Sequence, residues 1–220
     1  MESFANDSPV ATEMPTSMTI ECWVAQARRR DRIGQDAFEQ LFWLYQGAIG
    51  TYLTHLVQNE EVARDLAQET FLAAWQALPQ FEGEQHFRAW LYRIATNKAY
   101  SYLHHRRCQS VSLEELLDRE GETESLANLH QARIDEVVAV SEIIEQVLAA
   151  LSPRSRTCLL LQDYGGFSQR EIALLLGISE PAVGAYVSRA RQRFRQLYRL
   201  AEATGLPKQQ KGEVSVTEML

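Results

Sequence analysis

The chain has 220 residues, 45% of them hydrophobic and 23% charged, and its formal net charge is −7. That composition belongs to one large or two small globular domains and excludes a wholly disordered or collagen-like chain. The longest apolar runs, such as Ile172 to Leu176, are a few residues long, whereas a bilayer span needs about 20, so no membrane insertion is expected.

Residues 1–18 lack a basic region followed by an apolar stretch, so they are not a secretory signal and are expected to be a disordered extension. Cys22, Cys108 and Cys158 lie far apart, without CxxC spacing or a histidine pattern beside them. Three free thiols in a reducing cytoplasm are predicted, with no disulfide framework, metal site or cofactor.

The net charge hides its distribution. Residues 33–84 carry one basic and eight acidic side chains; residues 85–107 carry five basic and none acidic. Residues 108–136 carry two basic and eight acidic, and residues 137–200 eight basic and five acidic. Two basic blocks separated by an acidic one predict two anion-binding surfaces joined by a solvated linker.

The pattern is helical throughout, and an all-α fold of two small domains is expected. A short helix near Thr19 to Arg30 packs against a bundle. In the first long helix, Phe38, Leu41, Phe42, Tyr45, Ile49, Tyr52, Leu53 and Leu56 recur at helical spacing. Asn59 caps a second helix, with Glu60 and Glu61 at its positive end. Its apolar stripe is Val62, Leu66, Ala73 and Ala77, widened by Phe71, Trp75 and Leu78, and Pro79 and Gly83 stop it. A third helix runs from about His86 to Arg107, with Phe87, Trp90, Leu91, Ile94 and Tyr102 on one face. The first domain thus covers residues 19–107. From 108 to 136 the periodicity fades into a flexible acidic linker, with a short helical turn at Leu113 to Leu117.

The second domain covers residues 137–200. Val140, Ile143, Ile144, Val147, Leu148 and Leu151 form its first stripe. Ser152 and Pro153 restart the chain as a cap and first helical residue, and that helix ends at Tyr164-Gly165-Gly166. Ser168-Gln169-Arg170-Glu171 reads as a capping box, with Phe167 and Ile172 as a hydrophobic staple. The helix ends at Gly177, and Ser179 caps a last helix to about Leu200. Residues 201–220 are expected to be a disordered tail. A short capped helix, a tight turn and a longer basic helix have the spacing of a helix-turn-helix, whose second helix enters the DNA major groove. Its basic residues divide between two faces: Arg189 with Arg193, and Arg191 with Arg195.

Two further surfaces stand out. The third helix mixes Arg88, Arg93, Lys98, Arg106 and Arg107 with aromatic residues, a composition suited to single-stranded nucleic acid, although Phe87 and Trp90 also fit a core. The second helix exposes Asp65, Gln68, Glu69, Leu72 and Gln76, which fits either a basic protein partner or a solvated face. No catalytic constellation is present, and an enzyme is not expected.

These segments, in this order, resemble the sigma factors of bacterial RNA polymerase, specifically the compact extracytoplasmic-function group associated with stress responses. Asp65-Leu66-Ala67-Gln68-Glu69-Thr70-Phe71-Leu72-Ala73-Ala74-Trp75 is similar to the family's second conserved region. Phe87-Arg88-Ala89-Trp90-Leu91-Tyr92-Arg93-Ile94-Ala95-Thr96-Asn97 is similar to its strand-melting, −10-reading helix. Leu151-Ser152-Pro153-Arg154 and the segment from Phe167 to Arg195 are similar to its −35-reading domain. The resemblance implies a non-catalytic initiation factor that binds core polymerase, at the β′ clamp and β flap, and promoter DNA, both double-stranded and melted, and that is held by an anti-sigma factor.

The resemblance assigns polymerase binding to Asp65, Gln68, Glu69, Leu72 and Gln76. It assigns −10 contacts to Arg88, Trp90, Arg93, Asn97, Lys98, Ser101, His104, Arg106 and Arg107, with the loop Phe81 to His86 capturing a flipped base. It assigns −35 contacts to Arg170, Ser179, Glu180, Ala182, Tyr186, Arg189 and Arg193. Two departures stand out. Ser101 occupies a position that is commonly acidic in the family. Val183-Gly184-Ala185-Tyr186 replaces a Val-Lys-Ser-Arg-like stretch, and Gly184 then points to close approach of the DNA backbone. The rival readings are a plain helix-turn-helix regulator, which has no need of the second and third helices, and a sigma-like decoy, which has no need of the basic block at 85–107.

Overall fold

Side-chain caps start the long helices of the N-terminal unit. In the computed structural model, which describes residues 17–110 and 144–203, the Asp31 carboxylate accepts the Gly34 amide at 2.9 Å and opens α2 (Arg32–Val57). The Asn59 side chain accepts the Val62 amide at 2.9 Å and opens α3 (Glu60–Ala77). A preceding helix, α1 (Ser17–Ala27), lies along α2. Single 3-10 turns at Leu78–Gln80 and Glu84–His86 lead into α4 (Phe87–Ser110). The helices depart a little from their expected ends: α1 begins at Ser17 and stops before Arg30, and α4 runs three residues past Arg107. The rest of the N-terminal extension, the expected turn at Leu113–Leu117 and residues 204–220 lie outside the described residues.

The core of this unit is built from Leu41, Ile49, Tyr52, Leu53 and Leu56 of α2, Ala63, Leu66, Phe71 and Ala74 of α3, and Phe87, Leu91, Tyr92, Ala95 and Ala99 of α4. The α3 stripe is rotated from its expected position. Val62 and Ala73 are half-buried and Ala77 is exposed, because α3 packs against α2 and α4 together. On α4, Trp90, Ile94 and Tyr102 are only half-buried, whereas Tyr92 is buried. The Tyr92 ring meets Tyr52 and Phe167, each with centroids 5.1 Å apart. Phe167 belongs to the C-terminal unit, so that unit decides which side of α4 is covered.

In the C-terminal unit, residues 144–149 form a helix, α5. The Ser152 hydroxyl accepts the Ser155 amide and opens α6 (Pro153–Leu159), with proline in its first turn. The expected continuous helix to Tyr164 is instead α6 followed by a π-helical turn over Leu160–Tyr164. The capping box forms as expected. Ser168 Oγ accepts the Glu171 amide at 3.3 Å, and the Glu171 carboxylate accepts the Ser168 amide at 2.8 Å, opening α7 (Gln169–Leu176). Phe167 and Ile172, the staple pair, are both buried. Gly177, with φ of +67°, closes α7. The last helix, α8 (Glu180–Ala203), leaves α7 at 108° and runs three residues beyond its expected end. Ala173 sits at the crossing, and Val183, Val187, Ala190, Phe194 and Leu197 face the core. Among the described residues there is no strand.

The two units are not separate bodies on a string. Helix α4 packs on α7, and the end of α2 packs on α6 and the π turn.

Candidate polymerase and nucleic-acid interfaces

Helical periodicity places Asp65, Gln68, Glu69, Leu72 and Gln76 along one side of α3, and all five are exposed. Leu72 is 57% exposed. Glu69 also has an internal task, since Lys98 Nζ of α4 donates to its carboxylate at 2.9 Å. Beside this row runs an apolar groove of about 530 Å³ between α2 and α3. Its walls are Phe38, Phe42 and Trp43 of α2 and Phe71, Leu72 and Trp75 of α3. The Phe38 and Trp75 rings are 5.0 Å apart, and Phe42 meets Phe71 at 4.9 Å. Trp43 is 59% exposed, with its indole N–H donating to Glu39 at 3.2 Å. Helical spacing groups Phe38 and Phe42 with the apolar stripe of α2 and leaves Trp43 outside it. The readable signal was an apolar stripe on α2 wider than one core face requires.

On α4, Arg93, Asn97, Ser101 and His104 are all exposed, and their spacing puts them on one face. Arg106 is exposed as well, and the side chain of Arg107 lies outside the described residues. Three other residues assigned to the −10 element have internal contacts. Lys98 pairs with Glu69. The Arg88 guanidinium lies 4.2 Å above the ring of Phe167. Trp90 is half-buried and stacks on Phe81 with centroids 4.4 Å apart. The loop before α4 therefore has a rigid floor, because Phe81 is itself buried against Phe87 and Trp90.

The helix-turn-helix exposes Arg170, Ser179, Glu180 and Arg189, while Ala182, Tyr186 and Arg193 are half-buried. Tyr186 is held from two sides. Arg189 lies 4.9 Å above its ring, and its hydroxyl lies near Arg154, whose guanidinium it holds above its ordinary pKa. Gly184 has an intramolecular reason. A Cβ there would lie 3.1 Å from Oε1 of Gln169, so close approach comes from the start of α7 as well as from any DNA. Arg191 pairs with Asp163, and Arg193 donates to Gln196 at 3.2 Å.

Among the described residues no His, Cys, Asp and Glu side chains gather as a metal site. Cys22 is exposed and Cys158 buried, neither in a disulfide, and burial pushes the Cys158 thiol up to about 11. No single described helix is long and apolar enough to cross a membrane.

Comparison with known proteins agrees with this geometry. Residues 41–108 match the Sigma-70 region 2 family, and residues 141–194 match Sigma-70 region 4. The RNA polymerase sigma factor YlaC of Bacillus subtilis is 32% identical over 157 residues, covering 71% of this chain and 89% of that protein. Among solved structures, CnrH in complex with the cytosolic domain of CnrY superposes with a TM-score of 0.60 at 28% identity, covering 85% of this chain and 99% of that one. The sigma factor RpoE in complex with the anti-sigma factor NepR, from Bartonella quintana, superposes with a TM-score of 0.57 at 25% identity, covering 74% and 97%. With both regions matched, in order, around the exposed rows of α3 and α4 and a helix-turn-helix, the chain belongs to the extracytoplasmic-function group of RNA polymerase sigma factors.

Proposed function

We propose that this alternative sigma factor docks on the β′ clamp of core polymerase through the exposed face of α3. In this reading α4 and the loop from Phe81 to His86 engage the −10 element, and α7 and α8 engage the −35 element. Residues 19–107 and 137–200 are the working domains, and residues 108–136 connect them in sequence. The observation that carries the reading is the exposed Leu72 amid Asp65, Gln68, Glu69 and Gln76, beside an aromatic groove. An apolar anchor within an acidic rim suits a basic protein surface. On α4, Arg93, Lys98 and Arg106 meet phosphates, while the Phe81–Trp90 stack supports a base flipped from the melted strand. On α8, Tyr186 and Arg189 contact the −35 duplex together. The absence of a cation at Gly184 and Ala185 lowers the salt dependence contributed by this domain. The protein supplies no reacting group and works in the cytoplasm, where polymerase does the chemistry. An anti-sigma factor that covers the α3 face and the helix-turn-helix is the expected inhibitor; the NepR-bound neighbour supports this partner class.

Core-binding measurements on Asp65→Lys and Leu72→Asp, with circular dichroism as a control for folding, test the docking face. Both variants lose core binding about tenfold or more, as like charges and a desolvated carboxylate require. Unchanged core binding in both would remove the α3 assignment. Transcription with purified core polymerase on a promoter library reads both elements at once and separates a sigma factor from a decoy.

A further inference from the structure

The turn between α1 and α2 gathers a cationic patch that has no part in the function proposed so far. From Arg28 to Arg32 the chain reads Arg-Arg-Arg-Asp-Arg. Residues 33–84, which follow, carry one basic and eight acidic side chains, so the patch is not the edge of a broader basic stretch. Arg29, Arg30 and Arg32 are exposed and Arg28 is half-buried. The turn is held tightly. The Arg29 amide donates to the Gln26 carbonyl at 3.0 Å, and the Asp31 carboxylate caps α2. Gly34 is buried, and a Cβ there would overlap the Arg29 carbonyl oxygen, so only glycine lets α2 come this close. Two of the arginines have internal tasks. Arg30 Nη2 donates to the Gln76 carbonyl at the end of α3 at 3.2 Å, and its guanidinium lies 5.2 Å from the centroid of Trp75. Arg29 pairs with Asp31 at 2.7 Å, but both side chains are well exposed, where an ion pair is weak and readily exchanged. Arg32 opens α2, whose first turn holds no acidic residue, whereas α3 begins with Glu60 and Glu61. A cation at the positive end of a helix is disfavoured, so Arg32 does not serve the stability of α2.

The place of the patch in the bundle points to its use. Phe38 meets Trp75 and Phe42 meets Phe71, so α2 and α3 run in opposite directions. Tyr45 meets Phe87 and Tyr52 meets Tyr92, so α2 and α4 run in the same direction. The start of α2, the end of α3 and the start of α4 therefore share one end of the N-terminal unit. The loop Phe81 to His86 lies at that end, and α1 packs against its 3-10 turn at Glu84–His86. We infer that Arg28, Arg29 and Arg32 form a phosphate site for single-stranded DNA, which takes the nucleotides beyond the flipped base, counted from the exposed row of α4. This use rests on the −10 reading given above to α4 and the loop, and adds residues to it. An anion is required on electrostatic grounds. Gln76, whose carbonyl Arg30 holds, ends the acidic row of α3, and a basic protein surface that suits that row would repel the patch beside it. A melted strand leaving the Phe81–Trp90 stack carries a negative charge at each nucleotide, and a guanidinium meets phosphate with two parallel donors. Arg29 can exchange Asp31 for such a phosphate without disturbing the cap, because a different carboxylate oxygen accepts the Gly34 amide. Arg30 covers a face of Trp75, so the patch offers charge rather than a stacking platform, and the contact is to the backbone whatever the bases.

The test uses holoenzyme made from the full chain and core polymerase, with fork-junction DNA carrying a fluorophore. The single strand of the probe ends either at the flipped base or about six nucleotides beyond it, within the usual span of a single-strand site. Arg29→Gln with Arg32→Gln removes two cations and keeps Asp31, Gly34 and Arg30, so the turn survives, with thermal unfolding as the control. On the long probe, the slope of log affinity against log salt is expected to be shallower in the variant by about 1.4, at about 0.7 per phosphate on a single strand. Raising salt from about 50 to about 200 mM then weakens the wild type about sevenfold more than the variant. On the short probe the two proteins behave alike. Arg29→Lys with Arg32→Lys restores most of the slope, and changing the bases of the extension leaves the difference in place. Equal slopes on the long probe would overturn the phosphate site and leave a solvated turn. An equal loss on both probes would overturn its position beyond the flipped base. Weakened binding of the variant to core polymerase without DNA would also overturn it, and assign the arginines to an acidic protein surface. The −10 reading fails separately. If Arg93→Ala with Arg106→Ala leaves short-probe binding unchanged while the long-probe difference persists, α4 loses its role and the phosphate site at the turn stands.

Discussion

The two helical units present their exposed rows under different constraints. On α3, Asp65, Gln68, Leu72 and Gln76 stand on the side opposite the buried arc of Ala63, Leu66, Thr70 and Ala74. The packed and exposed faces are separate, and in the exposed row Glu69 also pairs with another helix, through Lys98. On α8 the two overlap. Tyr186 is half-buried under Arg154 and Arg189, Gly184 is covered by Gln169, Arg191 pairs with Asp163, and Arg193 bonds Gln196. A face with no packing duty can carry charge and an exposed leucine without loss of stability. A helix crossed by a second one at 108° has fewer positions to give away.

The contrast is tested most severely at Arg156, the side chain that joins the units. Arg156→Met takes a donor from the carbonyls of Leu56, Leu148, Ala149 and Leu151, of which Leu148 still accepts the Leu151 amide. Buried acceptors cost about 1–3 kcal/mol each when left unmade, and water reaches some of them, so a loss of about 3 kcal/mol is expected. Urea denaturation measures it. Hydrogen exchange should quicken at the end of α2 as well as in α6. Unchanged exchange at α2 would make the guanidinium a device of the C-terminal unit alone. Burial already pulls the Arg156 pKa down to about 10, so it remains cationic at neutral pH.

The double duty of Glu69 comes next. Glu69→Lys reverses the α3 face and sets two cations against each other, and core binding is expected to fall about tenfold. The swap Glu69→Lys with Lys98→Glu restores the pair and leaves the face reversed. Core binding that stays low in the swap assigns the effect to polymerase. Recovery would show that the pair only ties α3 to α4. The pair itself, exposed to solvent, is worth at most about 1 kcal/mol to stability.

The capping box of α7 predicts a pH signature for the C-terminal unit. Hydrogen bonds from Ser168, then the fields of Arg88 and His86, hold the Glu171 carboxyl below its ordinary 4.5. The folded state therefore binds that proton less readily than the unfolded chain. Its contribution is complete above the unfolded value and is lost as pH falls through the folded one. Glu171→Gln keeps a capping side chain, costs about 1 kcal/mol near neutrality and flattens thermal stability below about pH 4.5. Equal acid sensitivity in the two proteins would place the effect elsewhere.

The smallest effect expected is at Gly184. Alanine gains about 1 kcal/mol of helix propensity and must displace the flexible end of Gln169 by a few tenths of an ångström. Gly184→Ala should change stability by less than about 0.5 kcal/mol, and Gln169→Ala with Gly184→Ala should stabilise by about 1 kcal/mol. Unaltered −35 binding in both would assign the glycine to the crossing with α7. Lost binding would return it to the DNA.

Local order was legible in the residues. The caps at Asn59, Ser152 and Ser168, the stop at Gly177, the helix-turn-helix and the exposed row of α3 all rest on hydrogen bonds between residues three or four apart and on a period of 3.6, information that lies within one turn of the chain. The break at Leu160–Tyr164 carried no such mark, since Leu160, Leu161 and Gln162 are good helix formers with no glycine or proline among the five residues, and a Cβ at Gly165 would meet the Leu161 carbonyl and the Phe167 ring where the turn ends. Tertiary structure alone decided which neighbour covers each face. Periodicity groups Tyr92 with its own turn of helix but cannot announce that Phe167 will bury it while Trp90 remains partly open. It cannot separate an aromatic stripe that fills a core from one that lines a groove, as at Phe38, Phe42 and Trp43. Nor does it reveal that an arginine 100 residues away will cap α2. Those outcomes depend on free energies of contact between distant segments, set only once both helical units have folded and met.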